Sequence, residues 1–289
     1  MALPETTTRV LVAAVGIPVA VLAVFAGGWV LAALAGILAV LASLEFYRLA
    51  ETKGFRPLRV PGMLLAGGFV VLAALDPVAG PDGAGFGTLI VLSVLVIAAA
   101  SIWMLGVDGQ PVVTVSVTVF GAIYCGALLS FAVFLRHLPG QVGAWHGTAL
   151  LFAPILLTWA SDTFAYFAGR RWGTRKLIPK VSPGKTVQGA IGALVGTVLV
   201  AVVYRTVLQE FATYQLEMWE AVLLGVAVSA ASQVGDLAES LYKRDAGVKD
   251  SGRLLPGHGG ALDRFDSLLF TLPLGYFYFR YLVDAPPIF

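Results

Sequence analysis

The chain has 289 residues, 58% of them hydrophobic and 12% charged, with a mean hydropathy of +0.86 and a formal net charge of +2. This balance excludes an ordinary soluble globular domain and a disordered chain, and no nucleic-acid partner is expected. The single cysteine, Cys125, excludes an intrachain disulfide and a cysteine-based metal site, and it reads as a small buried hydrophobe.

Apolar runs long enough to cross a bilayer recur along the whole length. Nine are predicted, at Arg9–Ala26, Trp29–Leu49, Val60–Leu75, Gly87–Leu105, Val113–Leu135, Gly147–Gly169, Val187–Leu208, Trp219–Leu241 and Phe265–Val283. The fold class is therefore all-α, a polytopic membrane bundle. Met1–Thr8 is too short and polar for a cleaved signal, so the first run reads as a retained helix. Residues 1–146 read as scaffold, Ala, Val, Leu and Gly spans joined by turns such as DPVAGPDGAG. Residues 147–289 hold nearly all the intramembrane polar content, within one continuous membrane domain. No soluble domain and no fixed-period repeat are expected.

The basic residues fix an orientation. With the N-terminus in the cytoplasm, 16 of the 19 Lys and Arg residues fall inside, and only Arg136, Arg205 and Arg280 fall outside. The positive-inside rule then predicts N-in, C-out, with both large basic segments (170–185 and 243–264) facing the cytoplasm.

In the eighth run, Ser229, Ser232, Gln233, Asp236, Glu239, Ser240 and Lys243 recur at steps of three and four, so they form one polar stripe. Lipid would not tolerate such a face, so it must turn to a bundle interior or a wet cavity. The sixth run repeats the device with Thr158, Ser161, Asp162, Tyr166 and Arg170. Interhelical hydrogen bonding accounts for the hydroxyls, but not for Asp162 and Asp236. In the seventh run Gly192 and Gly196 have the small-xxx-small spacing of close helix packing, which is structural.

The sequence SLYKRDAGVKDSGRLLPGHGGALDRFD, Ser240–Asp266, concentrates charge of both signs at the end of an apolar run. Asp236 and Asp263 suit a hard, oxygen-seeking cation such as Mg²⁺, completed by substrate phosphate oxygens. Lys243, Arg244, Lys249 and Arg264 suit a polyphosphate. Gly259 and Gly260 would let backbone N–H groups approach phosphate, and His258 between glycines reads as a binding residue rather than a base. A polybasic lipid patch would explain the cations but not Asp250, Asp263, Asp266 or the glycines.

The other basic segment, GRRWGTRKLIPKVSPGKTVQG, contains GKT, but Pro179 stands where a P-loop needs glycine, so a P-loop is rejected. Ser182 or Thr186 could cap a helix start, and Lys185 reads as a phosphate ligand. For Arg170, Arg171 and Arg175 a topology-setting role is an equal alternative.

Residues 240–266 resemble the C-terminal signature of the phosphatidate cytidylyltransferases: Ser240, Lys243 and Arg244, Lys249 and Asp250, His258–Gly260, Asp263 and Arg264, and Asp266 are all in place. SDTFAYFAGRRWG, SPGKT and LEFYRL around Glu45 are similar to the same family's other motifs, so the likeness spans nearly the whole chain. The resemblance implies cytidylyl transfer from CTP to phosphatidic acid, giving CDP-diacylglycerol and pyrophosphate. On the residues themselves Mg²⁺ is expected at Asp236 and Asp263, with room for a second cation. Asp162, Asp250, Asp266, Ser182, Thr186 and Ser240 would orient substrate, and the enzyme would sit in the cell membrane facing the cytoplasm. A homodimer is compatible with this reading. A CTP-dependent transferase acting on another lipid, of the CDP-archaeol synthase or dolichol kinase kind, is the nearest alternative. An ion-coupled transporter is a further one, opposed by the clustering of charge at one membrane face and the lack of an inverted repeat.

Overall fold

Lipid offers no hydrogen bonds to a bare backbone, so a chain this apolar folds into helices that satisfy their own amides. The computed structural model describes residues 5–138, 144–211, 216–252 and 259–283 and is helical almost throughout. Its helices are α1 (Glu5–Ala26), α2 (Gly28–Thr52), α3 (Arg59–Leu75), α4 (Ala84–Met104), α5 (Pro111–Ala122), α6 (Leu128–Arg136), α7 (Ala144–Trp172), α8 (Val187–Phe211), α9 (Met218–Asp245), α10 (Leu262–Phe265) and α11 (Leu268–Phe277). A π-helical segment, Ile123–Ala127, joins α5 to α6, and another, Tyr278–Leu282, extends α11. Every predicted apolar run falls on helical structure. Among the described residues, six helices are long and apolar enough to cross a membrane. This is a multi-pass membrane protein.

One segment departs from expectation. The basic stretch after α7, for which no strand was expected, contains an antiparallel hairpin of β1 (Lys176–Ile178) and β2 (Ser182–Thr186), with Lys176 paired to Thr186 and Ile178 to Ser182. Ser182 therefore lies in a strand and does not cap a helix. Thr186 does cap one: its Oγ1 accepts the Gly189 N–H at 3.1 Å, at the start of α8. Gln188 ties the segment down further, its Oε1 accepting the N–H groups of Thr174 and Arg175 and its Nε2 donating to Thr174 Oγ1 at 2.7 Å.

The chain divides into two compact units. One comprises Met1–Phe134 with Tyr242–Phe265, the other Leu135–Leu241 with Asp266–Phe289. In the first, α2, α3 and α5 pack around the fully buried Tyr47, whose hydroxyl donates to Thr118 O at 2.8 Å. Gly62 and Gly121 face its ring, where no side chain would fit. The π-helical turn is equally tight, since Gly126 meets the backbone of Ala66. Leu92, Leu95 and Val96 of α4 point outward, as apolar side chains can in lipid.

In the second unit α7 and α8 pack closely through the predicted small residues. Gly192 lies against Ala168, and Gly196 against the ring of Phe164. The α9 stripe turns inward, as do Thr158 and Ser161 of α7, whereas Asp162, Tyr166 and Arg170 of α7 are exposed and line a cavity instead. Ser161 and Ser229 hydroxyls meet at 3.4 Å, Gln233 Nε2 donates to Ser229 Oγ at 3.2 Å, and Thr158 pairs with Thr271 at 2.9 Å.

Gly196→Leu should therefore destabilise the protein by about 1–3 kcal/mol through overpacking against Phe164. Gly87→Ala, at an open position of α4 with nothing within 4 Å, should be neutral or slightly stabilising. Thermal unfolding in detergent checks both; equal midpoints would refute the close α7–α8 contact.

Candidate functional site

Each unit carries a cluster built on an Asp–Lys pair. In the second unit, Asp236 projects from the polar stripe of α9 and Lys185 from β2. Their Oδ2 and Nζ atoms lie 2.6 Å apart, about a quarter to a third exposed. Ser240, one turn along α9, donates its hydroxyl to Asp236 Oδ1 at 3.3 Å. The pair lines a cavity of about 510 Å³ with Asp162, Tyr166, Arg170 and Gln233. Within it Tyr166 Oη accepts from Arg170 Nη1 at 2.9 Å. The cavity thus offers two carboxylates, a lysine and an arginine beside the turn into α8, where backbone N–H groups favour anions. Its volume suits a small ligand.

In the first unit the pair is Lys243 and Asp263. Lys243 Nζ donates to Asp263 Oδ1 at 2.7 Å, and both side chains are largely buried, 14% and 9% exposed. Asp263 opens the short α10 and also accepts backbone amides: Ser251 N–H at 3.0 Å and Gly260 N–H at 2.8 Å, both to Oδ2. Gly259 makes this closure possible. Its φ of +81° lies in the left-handed region, and a Cβ there would press on Asp263 Oδ2.

The last turn of α9 is fixed within the same unit. Tyr242 packs edge-on against Phe46 and Tyr124 at 5.9 and 5.8 Å between ring centroids. Lys53 pairs with Asp245 at 3.2 Å, and Thr52 Oγ1 donates to Ala246 O at 3.1 Å. Lys243 therefore leaves a clamped helix end.

Of the predicted residues, the structure gathers Asp162, Lys185, Asp236 and Ser240 in one unit, with Thr186 beside them at the cap of α8. It gathers Lys243, Gly259, Gly260 and Asp263 in the other. Lys249, Asp250, Arg244 and Arg264 are exposed. Asp266 turns its Oδ1 to the Ser267 N–H at 2.6 Å. His258 lies outside the described residues.

Asp236 and Asp263 are carboxylates, the donor type that a hard cation takes, and each already stands against a positive charge. Among the described residues no three His, Cys, Asp or Glu side chains converge. Each carboxylate taken by itself is the donor type of Mg²⁺, which takes one or two protein carboxylates and its remaining oxygens from elsewhere.

Sequence reasoning missed one residue here. Glu45 of α2, noted only within the LEFYRL motif, is 2% exposed, and its Oε2 accepts both Ser251 Oγ–H at 3.1 Å and Leu262 N–H at 2.8 Å. Its signal was present: a carboxylate inside an apolar run, where charge is expensive.

The profile of the cytidylyltransferase family matches residues 7–282. The chain belongs to that family. It is 35% identical over 276 residues to the phosphatidate cytidylyltransferase of Staphylococcus aureus, a match covering 93% of this chain and 96% of the relative. It is 46% identical over 136 residues to the enzyme of that name from Haemophilus influenzae, and 41% identical over 156 residues to that from Bacillus subtilis. Those two alignments span only about half of each relative's length, 47% and 55%. Family membership thus coincides with the signature whose Lys243–Asp263 pair the structure closes.

The two pairs differ in burial, which sets their worth. Lys243→Met leaves Asp263 without that cation in a nearly dry site and should cost on the order of 3 kcal/mol. Lys185→Met, in the more solvated pair, should cost less than about 1 kcal/mol. Thermal unfolding of the two variants tests the order; a larger loss for Lys185→Met would contradict it.

Proposed function

We propose that this protein transfers the cytidylyl group of CTP to phosphatidic acid, forming CDP-diacylglycerol and pyrophosphate. The observation that carries the reading is the Lys243–Asp263 pair, in which signature residues 20 apart in sequence meet at 2.7 Å, in a chain that aligns over 93% of its length with a phosphatidate cytidylyltransferase.

In this reading a phosphate oxygen of phosphatidic acid attacks the α-phosphorus of CTP, and the bond from that phosphorus to the bridging oxygen breaks as pyrophosphate leaves. The nucleophile is already largely ionised at neutral pH, so no side chain need remove a proton. Lys185, Lys243, Arg244, Lys249 and Arg264 hold phosphate oxygens and offset the charge that spreads over them in the transition state. Asp162, Asp250 and Asp266 orient these cations and the substrates. Mg²⁺ is assigned to Asp236 and Asp263, where it would supply Lewis-acid stabilisation of the phosphates. A lysine that now faces each carboxylate is then available to phosphate.

The lipid substrate reaches such chemistry from the bilayer and CTP from the cytoplasm, which the distribution of Lys and Arg supports. Cysteines introduced at Arg175 and Lys249 should react with an impermeant reagent only from the cytoplasmic side, and one at Asp82 only from outside. Cys125 is buried and should add little background. Labelling of position 175 from outside would reverse the orientation.

Purified protein incubated with labelled CTP, phosphatidic acid and Mg²⁺ should yield a CDP-lipid. Asp236→Asn and Asp263→Asn should each nearly abolish turnover, and the double variant should lose little more than either alone. Lys185→Ala should lower kcat/KM for CTP about 10- to 100-fold, as expected for a lost charged hydrogen bond of ~1.5–3 kcal/mol. Arg175→Ala should matter less. No CDP-lipid from the wild-type protein in any detergent or lipid tried would reject the reading.

A further inference from the structure

Glu45 has no part in the chemistry above, yet its surroundings are built around it. It sits in the apolar helix α2, 2% exposed, and its Oε2 receives the Ser251 hydroxyl and the Leu262 N–H at 3.1 and 2.8 Å. Its other oxygen, Oε1, has no hydrogen-bond partner among the described residues. The walls are glycine: a Cβ on Gly252 would overlap Oε1, and one on Gly260 would overlap Oε2 and Ser251 Oγ. A carboxylate seated this tightly cannot shift without moving the backbone on both sides.

The two donors to Glu45 flank the groups that hold Asp263. Ser251 gives its hydroxyl to Glu45 and its backbone N–H to Asp263, while Leu262 gives its N–H to Glu45 and directly precedes Asp263. Gly260 donates to Asp263 and packs on Glu45. Ser251, Gly260 and Leu262 therefore tie the two carboxylates together.

We propose that Glu45 is a positioning residue for Asp263: from α2 it fixes Ser251 and Leu262, and through them the direction in which Asp263 presents its oxygens to cation and phosphate. This rests on the reading of Asp263 as a metal ligand in cytidylyl transfer. The role belongs to the location of the Glu45 oxygen and not to its charge, because among the described residues the groups that donate to it are a hydroxyl and a backbone amide.

Two substitutions separate location from charge. Glu45→Asp keeps the charge but withdraws the carboxylate by one methylene, about 1.5 Å, and displacements of ~1 Å can cost on the order of 100-fold. Glu45→Gln keeps an acceptor oxygen at full reach. Glu45→Asp should lower kcat and raise the Mg²⁺ concentration for half-maximal turnover, each about 10- to 100-fold, as typical for a residue that orients a metal ligand. KM for phosphatidic acid should stay unchanged. Glu45→Gln should recover most of both.

Hydrogen–deuterium exchange of the protein without nucleotide or metal supplies a readout independent of activity. The amides of Ser251, Gly260 and Leu262 should exchange faster in Glu45→Asp and at the wild-type rate in Glu45→Gln. Wild-type exchange and Mg²⁺ dependence in Glu45→Asp would overturn the inference, as would a Glu45→Gln variant as impaired as Glu45→Asp. If Glu45→Asp does not fold, Ser251→Ala, which removes one donor and keeps the backbone N–H, should speed exchange at Leu262; unchanged exchange there overturns the inference. A wild-type protein that makes no CDP-lipid would instead reject the proposed function and leave the exchange result standing.

Discussion

A carboxylate placed in an apolar helical protein must be met by donors, because an uncompensated buried charge costs several kcal/mol. That requirement organises both polar clusters. Asp236 is met by Lys185 and Ser240, Asp263 by Lys243 and two backbone amides, and Glu45 by a serine hydroxyl and a helix-opening amide. Each set includes a donor from a distant stretch of chain, so meeting the carboxylate also fixes where that stretch goes. The hairpin is brought to α9 through Lys185, and Ser251 and Leu262 are brought to α2 through Glu45.

The packing that permits this relies on small residues. In lipid there is little hydrophobic drive between helices, and close approach must come from shape. Gly192 and Gly196 let α7 meet α8, and Gly62 and Gly121 make room for Tyr47. Gly252 and Gly260 make room for the Glu45 carboxylate in the same way. Glycines of the signature thus serve geometry, admitting a buried carboxylate.

Much of the architecture was legible before any coordinates. Apolar run length marks helices because lipid forbids unsatisfied backbone, and steps of three and four marked the inward stripe of α9 and the buried hydroxyls of α7. Ser161 against Ser229 and Thr158 against Thr271 bear this out. The hairpin at 176–186 was not legible: its strands are three and five residues long, carry Gly and Pro, and lack alternation. Neither was the contact of Glu45 with Ser251, 206 residues away in sequence. Local pattern has no information about which distant donor a carboxylate will find.

The sequence by itself determined the membrane class, the helical positions, the inward polar faces and the family, since each follows from composition, period or an ordered set of residues along the chain. Only the tertiary structure decided which lysine meets which aspartate, that Thr186 and not Ser182 caps α8, and that Glu45 anchors the turn bearing Asp263. Those choices depend on distances between segments far apart in sequence, and they are settled by packing and by the need of each buried charge for a donor.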